Sequence, residues 1–154
     1  MKTSPPDIIV TSPDGDYLII VEVKPNDVGS RKEAIEQLRY LMAKFGCSVG
    51  LVVTGGQIVL LRDSFKEPNG ESVHIASEAK LPDFLLPPAD EQWKGEPRLE
   101  FESRVQRWLE NLKRTTNLDN FPDDLKALLS EPILSLLRLG EVRAARPRWS
   151  KVAS

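Results

Sequence analysis

The strand-like run 18–23 constrains the fold of this chain more than any other segment. Its residues, Leu-Ile-Ile-Val-Glu-Val, are apolar on both alternating faces, and Glu22 is the one exception. A strand of this composition is typical of the interior of a sheet that is covered on both sides. A carboxylate in such a strand needs a partner, because burying an uncompensated charge is costly. The run therefore predicts a layered fold and a specific role for Glu22.

A β-hairpin is predicted at the start of the chain. Residues 8–10 and 17–21 read as strands, and Asp14-Gly15 between them is a dipeptide favoured in two-residue type I′ turns. With that turn, Pro13 is expected to pair with Asp16. The turn would fix the register of both strands.

The same register places Val10 opposite Ile19 and Asp7 opposite Glu22. Directly opposite residues share a face, with Cβ atoms roughly 4.5–5.5 Å apart. Two carboxylates that close repel each other unless something positive lies between them, and a hard divalent cation is the simplest partner. Lys24 projects to the same face as Glu22 and can hold a water or a phosphate oxygen. The alternative is an ordinary hairpin in which Glu22 and Lys24 form a surface pair.

The segments that follow predict a mixed sheet. Apolar residues at helical spacing predict a helix over 31–45, and two apolar runs over 47–53 and 57–61 read as strands joined by a glycine turn. The order strand, strand, helix, strand, strand favours a mixed sheet with at least one crossover. We therefore predict an α/β fold with a central mixed β-sheet flanked by helices, plus C-terminal helices.

The second half of the chain is predicted to be mainly helical. A short edge strand is expected over 72–75 and an amphipathic helix over 98–114. A second helical pattern runs from 123 to 137, with a break at Pro132 and an end at Gly140. The expected divisions are a core over 1–80, a proline-rich connector over 81–97, and a helical extension over 98–154 packed on the core or on a partner.

Composition excludes several classes of protein. The length of 154 residues suits one domain, and the formal net charge of −2 provides no overall positive field toward nucleic acid. The single Cys47 cannot form an internal disulfide, and the single His74 excludes a Cys/His zinc site. No apolar stretch approaches the roughly 20 residues of a membrane span, so a cytoplasmic location is expected.

Three motifs together resemble the PD-(D/E)XK nuclease superfamily. They are Pro6-Asp7, Glu22-Val23-Lys24 and the helix segment Gln37-Leu38-Arg39-Tyr40. The nearest groups are the nuclease domains of type I restriction subunits and RecB-like enzymes. The resemblance covers about residues 6–63 and implies a restriction-endonuclease-like core.

The resemblance also implies a metal-dependent activity. Asp7 and Glu22 would bind Mg²⁺, for which Mn²⁺ would substitute, and the Val23 carbonyl is a further candidate ligand. Lys24 would assist the attacking water or stabilise charge, and Gln37 would position the lysine or contact DNA. The expected reaction is phosphodiester hydrolysis in DNA by an endo- or exodeoxyribonuclease. The alternative is a catalytically inactive module with the same fold that binds nucleic acid or serves in assembly.

Basic and aromatic residues on the predicted helix 31–45 are candidates for nucleic-acid contacts. They are Arg31, Lys32, Arg39, Tyr40 and Lys44. The alternative for these residues is an ordinary polar helix face. A homodimer or a larger defence or repair complex is the expected assembly.

One expected element has no obvious counterpart. Many members of the superfamily carry another acidic residue on a helix before the first strand. The predicted helix 98–114, with Glu100, Glu102 and Glu110, is a candidate replacement. The alternative is a solvated acidic face on a packing helix.

Overall fold

The computed structural model describes residues 5–25, 30–88 and 96–145. These residues form six strands and four helices, together with short helical turns. The strands are β1 (Ile8–Thr11), β2 (Tyr17–Val23), β3 (Val49–Val53), β4 (Gln57–Asp63), β5 (Val73–Lys80) and β6 (Glu141–Ala144). The helices are α1 (Ser30–Phe45), α2 (Pro97–Leu112), α3 (Asp123–Leu128) and α4 (Leu134–Leu139).

The six strands form one mixed sheet in the order β5-β4-β3-β2-β1-β6. Only β2 and β3 pair in parallel, and α1 connects them as the crossover that a parallel pair requires. The other neighbouring strands are antiparallel. The α/β prediction, with a central mixed sheet flanked by helices, is confirmed.

Each face of the sheet packs against a different helical layer. On one face, α1 contributes Ala34, Leu38, Leu41 and Met42 to a buried cluster that includes Ile20. On the other face, α2, α3 and α4 cover a larger buried cluster that includes side chains of every strand. The central strand β2 is therefore buried on both sides, as its composition predicts.

The predicted elements of the first half of the chain agree closely with the structure. Helix α1 starts one residue before the predicted span 31–45 and ends with it. Strands β3 and β4 form the expected hairpin, with Leu51 paired to Leu60 at its centre. The edge strand predicted over 72–75 is longer and runs to Lys80.

The second half contains the predicted helices and the predicted break. Helix α2 begins and ends within two residues of the predicted span 98–114. A π-helical turn, Leu129–Ile133, contains Pro132 and separates α3 from α4. Gly140 follows α4, and a Cβ there would lie 2.6 Å from the Thr11 carbonyl oxygen, so only glycine permits this approach. Within the described parts of the chain, no helix is long and apolar enough to span a membrane.

Strand β6 was not predicted. The chain returns after α4 and adds β6 to the sheet edge beside β1, with Val10 paired to Val142. The segment predicted as a purely helical extension therefore contributes a strand to the central sheet. Its four residues, Glu-Val-Arg-Ala, alternate between polar and apolar side chains, but so short a pattern carries little weight.

Candidate functional site

The β1–β2 hairpin carries both predicted acidic residues, and its turn differs from the predicted one. The Ser12 N–H donates to the Asp16 carbonyl at 2.9 Å, and the Gly15 N–H donates to the Ser12 carbonyl at 2.9 Å. The loop therefore has three residues, 13–15, and its last residue, Gly15, has a φ of +90°. The predicted two-residue turn and the Pro13–Asp16 pair are wrong.

A bulge restores the predicted register beyond the turn. Thr11 pairs with Tyr17, whereas the next pair is Val10 with Ile19, so Leu18 is an extra residue in β2. The predicted pairing of Val10 with Ile19 is confirmed. The longer loop and the bulge shift the register in opposite directions and cancel.

Asp7 and Glu22 lie at the end of this ladder. Ile8 pairs with Val21, and one step further along the same register Asp7 lies across from Glu22. Because Ile8 and Val21 point into the larger cluster, Asp7 and Glu22 point to the face covered by α1. Both carboxylates are buried, with 4% of Asp7 and 3% of Glu22 exposed.

Asp7 is held by both neighbouring strands. Its Oδ2 accepts a hydrogen bond from the Val23 N–H at 2.8 Å. Its main-chain carbonyl accepts one from the Ala145 N–H at 3.1 Å, just past the end of β6. The carboxylate therefore has a fixed position relative to β2, and the unpredicted strand β6 helps to fix it.

The electrostatics of the pair centre on Glu22. Burial, and then the charge of Asp7 and a hydrogen bond to it, raise the pKa of Glu22 to about 9. The charge of Lys24 acts in the opposite direction and lowers this pKa. Glu22 is therefore protonated at neutral pH in the metal-free protein, and it donates its proton to Asp7.

Lys24 follows β2 and lies on the same side as Glu22. Its side chain is half-buried, and its effect on the pKa of Glu22 places its ammonium group within electrostatic reach of that carboxyl. The Lys24 N–H donates to the Val53 carbonyl at 2.8 Å, which anchors this end of β2 to β3. Three of the predicted site residues, Asp7, Glu22 and Lys24, thus come together.

The Val23 carbonyl has a distinctive position. Because the Lys24 N–H faces β3, the N–H and C=O of Val23 face β1. The Val23 N–H is used by Asp7 there. The residue across from Val23 in the β1 register is Pro6, which has no N–H to donate. Pro6 therefore offers no ladder hydrogen bond to this carbonyl, which lies beside the two carboxylates.

Gln37 lies at the border of the buried stripe of α1. It is half-buried, and helical spacing groups it with Ala34 and Leu41, both of which are buried against the sheet. Gln37 is therefore on the side of α1 that faces the sheet. Asp7 and Glu22 point from the sheet toward α1.

Arg31 is engaged within the protein. Its Nη1 donates to the Gln57 Oε1 at 3.0 Å, and its Nη2 forms an ion pair with Glu78. These contacts attach the start of α1 to β4 and β5. The charge of Arg31 is therefore partly compensated, although the residue is only half-buried.

The other candidates for nucleic-acid contacts lie on different flanks of α1. Arg39 packs against Gly70, where a Cβ would lie 2.9 Å from the Arg39 Cγ. Helical spacing places the exposed Lys32 on that flank as well. Lys44 lines a groove on the opposite flank, near β1, and its Nζ is 6.0 Å from the ring centre of Tyr40. The helix does not gather the five predicted residues into one patch.

The acidic helix α2 lies on the wrong face to complete the site. Its apolar residues join the cluster into which Val21 and Val23 point, across the sheet from Glu22. The suggestion that Glu100, Glu102 or Glu110 replaces the missing acidic residue is therefore not supported. Glu102 is also 1% exposed, so a solvated acidic face does not describe it either. Among the described residues, no group of three or more His, Cys, Asp or Glu side chains could hold a metal ion.

Comparisons with known proteins place the first half of the chain in a restriction context. No curated protein and no solved structure gives a significant match. Residues 1–76 match the family model described as Type I restriction enzyme R protein N terminus (HSDR_N). This stretch contains Asp7, Glu22, Lys24 and Gln37 together with β1 to β4. The half of the chain that carries the carboxylate pair is thus similar to the N terminus of a restriction subunit.

Proposed function

We propose that this protein is a Mg²⁺-dependent nuclease that hydrolyses phosphodiester bonds in DNA. The observation that carries the proposal is the buried pair of Asp7, just before β1, and Glu22, in β2, with Lys24 beside it. A buried carboxyl whose pKa is raised by burial and by a neighbouring carboxylate, as that of Glu22 is, is a common feature of functional sites. A purely structural role would be met at lower cost by apolar side chains.

The donor atoms fit a hard divalent cation. Asp7 and Glu22 offer carboxylate oxygens, and the Val23 carbonyl faces the same side as the Asp7 carboxylate. Mg²⁺ usually binds proteins through one or two carboxylates and keeps several waters, so a third acidic side chain is not required. The raised pKa of Glu22 also fits, since a cation would stabilise the second negative charge.

Each residue of the candidate site would have a separate role in the reaction. A bound Mg²⁺ supplies Lewis acidity toward the phosphate and the attacking water. Asp7 is kept in place by the Val23 N–H and holds its orientation without rearrangement. Lys24 carries a positive charge next to Glu22 and would stabilise negative charge that develops on the phosphate. Gln37 would position Lys24 or the substrate from the sheet-facing side of α1.

The family match supports DNA as the substrate and a multi-subunit setting. The matched model describes a restriction enzyme subunit, and restriction enzymes act on DNA. We propose that this chain acts in a restriction complex with other subunits. The match to residues 1–76 includes every residue to which we assign a role in the reaction.

A cleavage assay tests the proposal. Supercoiled plasmid and end-labelled linear duplex are incubated with the protein in Mg²⁺, in Mn²⁺ and in EDTA. We expect cleavage only with a metal ion, and rates lowered ~100-fold or more by Asp7→Asn or Lys24→Ala. Asp14→Asn and Lys66→Ala are matched controls, because Asp14 is exposed in the β1–β2 turn, at the opposite end of the hairpin from the pair, and Lys66 is exposed after β4. Cleavage by Asp7→Asn and Lys24→Ala proteins at the parent rate would refute the nuclease.

A second candidate is an inactive module of the same fold. It is favoured by the absence of a third acidic or histidine ligand among the described residues. Titration calorimetry with Mn²⁺ separates the two candidates. The nuclease is expected to bind Mn²⁺ at a site that Asp7→Asn removes, whereas the inactive module would show no such site.

A further inference from the structure

A groove runs along strand β6, at the edge of the sheet beside β1. Two adjoining depressions, of about 640 and 470 Å³, share Lys113 and Glu141 in their walls. The first lies beside the C-terminal part of α2. The second reaches the β1–β2 turn at Ser12 and includes Gly140. Together they wrap around the sheet edge on which β6 lies.

Basic side chains dominate this groove. Among the described residues that line it, the basic ones are Arg107, Lys113, Arg114, Arg138 and Arg143. The acidic ones are Glu110 and Glu141. The chain as a whole has a formal net charge of −2, so this local excess of positive charge is not a reflection of overall composition. A groove with such an excess attracts polyanions.

Main-chain carbonyls hold three of these cations. Lys113 Nζ donates to the Gly140 carbonyl at 2.6 Å, and Arg138 donates to the Thr115 carbonyl at 2.7 Å. Arg107 donates to the Pro88 carbonyl at 2.6 Å. A carbonyl fixes the position of a cation but does not cancel its charge. The groove therefore has positioned positive charges, and within the described parts of the chain none of these three side chains forms an ion pair.

Arg143 connects the groove to the carboxylate pair. It pairs with Ile9 across the β1–β6 ladder, so it lies on the face to which Asp7 points. Ala145, two residues further, donates to the Asp7 carbonyl. At ~3.3 Å per residue, Arg143 is about 7 Å along the strand from this contact. Its ion pair with Glu141 is exposed and at 3.3 Å, so it is weak and can be exchanged for a phosphate.

We propose that the groove along β6 binds the phosphate backbone of the DNA and guides it to Asp7 and Glu22. The proposal rests on the proposed nuclease function for its direction, since Arg143 is the groove residue nearest in β6 to Ala145, which donates to the Asp7 carbonyl. It assigns substrate binding to α2, α4 and β6, which lie outside the matched residues 1–76. The basic residues of α1 then contribute less to DNA binding than those along this edge of the sheet.

Fluorescence anisotropy with a labelled 20-base-pair duplex in EDTA tests the groove without cleavage. The test variant is Arg114→Glu/Arg143→Glu. The matched control is Arg62→Glu/Lys66→Glu, which makes the same change in net charge with exposed residues in and after β4. We expect the test variant to bind at least about 10-fold more weakly than the parent and to lower the slope of log K against log salt by about 2, and the control to remain within about 2-fold. Arg114→Gln/Arg143→Gln should give a smaller loss in the same direction, and circular dichroism confirms that each variant is folded.

Several results would overturn the proposal that the groove binds DNA. They are parent-like binding by the test variant, an equal loss in the control, no DNA binding by the parent at 50 mM salt, or tighter binding of labelled poly-glutamate than of DNA. The nuclease can fail separately. A protein that binds DNA through the groove and cleaves nothing in Mg²⁺ or Mn²⁺ refutes the nuclease alone, whereas cleavage with an unchanged KM in the test variant refutes the groove alone.

Discussion

The two faces of the central sheet are built from the same strands but differ in what they bury. On the face covered by α2, α3 and α4, the buried apolar cluster contains 26 of the described residues, and α2 also buries Glu102. On the face covered by α1, the cluster contains ten, and beside it lie Asp7 and Glu22. Along β2, Val21 and Val23 point to the first face while Glu22 points to the second.

This difference indicates a division between stability and function. Three helices exclude water from one face, and apolar burial of that extent is the main source of stability. The single helix α1 covers the other face. The corner of the sheet beside α1, where Asp7 and Glu22 lie, can therefore hold polar groups. The alternation of side chains along β2 lets one strand serve both purposes, with no residue shared between them.

The largest expected effect comes from the apolar face. Trp108→Ala removes a side chain that is 3% exposed, and we expect it to lower the free energy of unfolding by about 3–5 kcal/mol. The folded fraction should bind Mn²⁺ as the parent does, because Trp108 lies across the sheet from Asp7. Urea denaturation and calorimetry measure the two quantities. Loss of Mn²⁺ binding by a folded Trp108→Ala protein would show that the faces are not separate.

On the polar face, the one covered by α1, a substitution of Glu22 should raise the stability of the protein instead of lowering it. Because the pKa of Glu22 rises from 4.5 in the unfolded chain to about 9 in the fold, the folded state binds the extra proton between these values. The stability from Glu22 is full below pH 4.5 and is lost as the pH rises toward 9. Glu22→Gln keeps a donor for Asp7 and cannot ionise. It should therefore stabilise the metal-free protein by about 2–3 kcal/mol at pH 7 and by less at pH 5.

Thermal melts from pH 5 to 9 check this effect. The difference in Tm between Glu22→Gln and the parent should increase with pH. Saturating Mn²⁺ should raise the Tm of the parent and leave that of the variant unchanged. A difference that is constant over the whole pH range would contradict the assigned state of Glu22.

A smaller difference in stability is expected between two variants of Asp7, which separate the contribution of its charge from that of its hydrogen bond. Asp7→Asn and Asp7→Ala both remove the charge, but only alanine removes the acceptor of the Val23 N–H. We expect the alanine variant to be less stable than the asparagine variant by about 1–2 kcal/mol. Urea denaturation measures the difference. Equal stabilities would mean that water replaces the lost acceptor, and that the corner is open to solvent.

The sequence alone predicts much of this fold, and the failures have physical causes. The apolar run around Glu22 and the periodicity of α1 are strong local signals, and both elements were found where they were expected. The prediction of a two-residue turn was wrong because Asp14-Gly15 also suits a three-residue loop in which only Gly15 needs a positive φ. The pairing of Asp7 with Glu22 was preserved because the bulge at Leu18 cancelled that error.

Long-range contacts are the part that local patterns do not contain. Strand β6 is four residues long and acquires its place only by pairing with β1, more than 120 residues earlier in the chain. The partners of Arg31 are likewise distant, since Glu78 is 47 residues away. A helical pattern indicates where a basic residue lies on its helix, but not which carboxylate is folded against it.

The smallest expected effect concerns the attachment of α1 over the polar face. Arg31 and Glu78 are 34% and 42% exposed, so solvent screens their attraction, and a double-mutant cycle with alanine should give a coupling of about 0.2–1 kcal/mol. The coupling should decrease in 1 M NaCl. Lys126 and Asp119, which form a more exposed pair on the opposite side of the sheet, provide the control cycle, with an expected coupling nearer zero. A coupling above 2 kcal/mol at Arg31 would mean that the polar face depends on this ion pair for stability as the other face depends on apolar burial, and the division between the faces would fail.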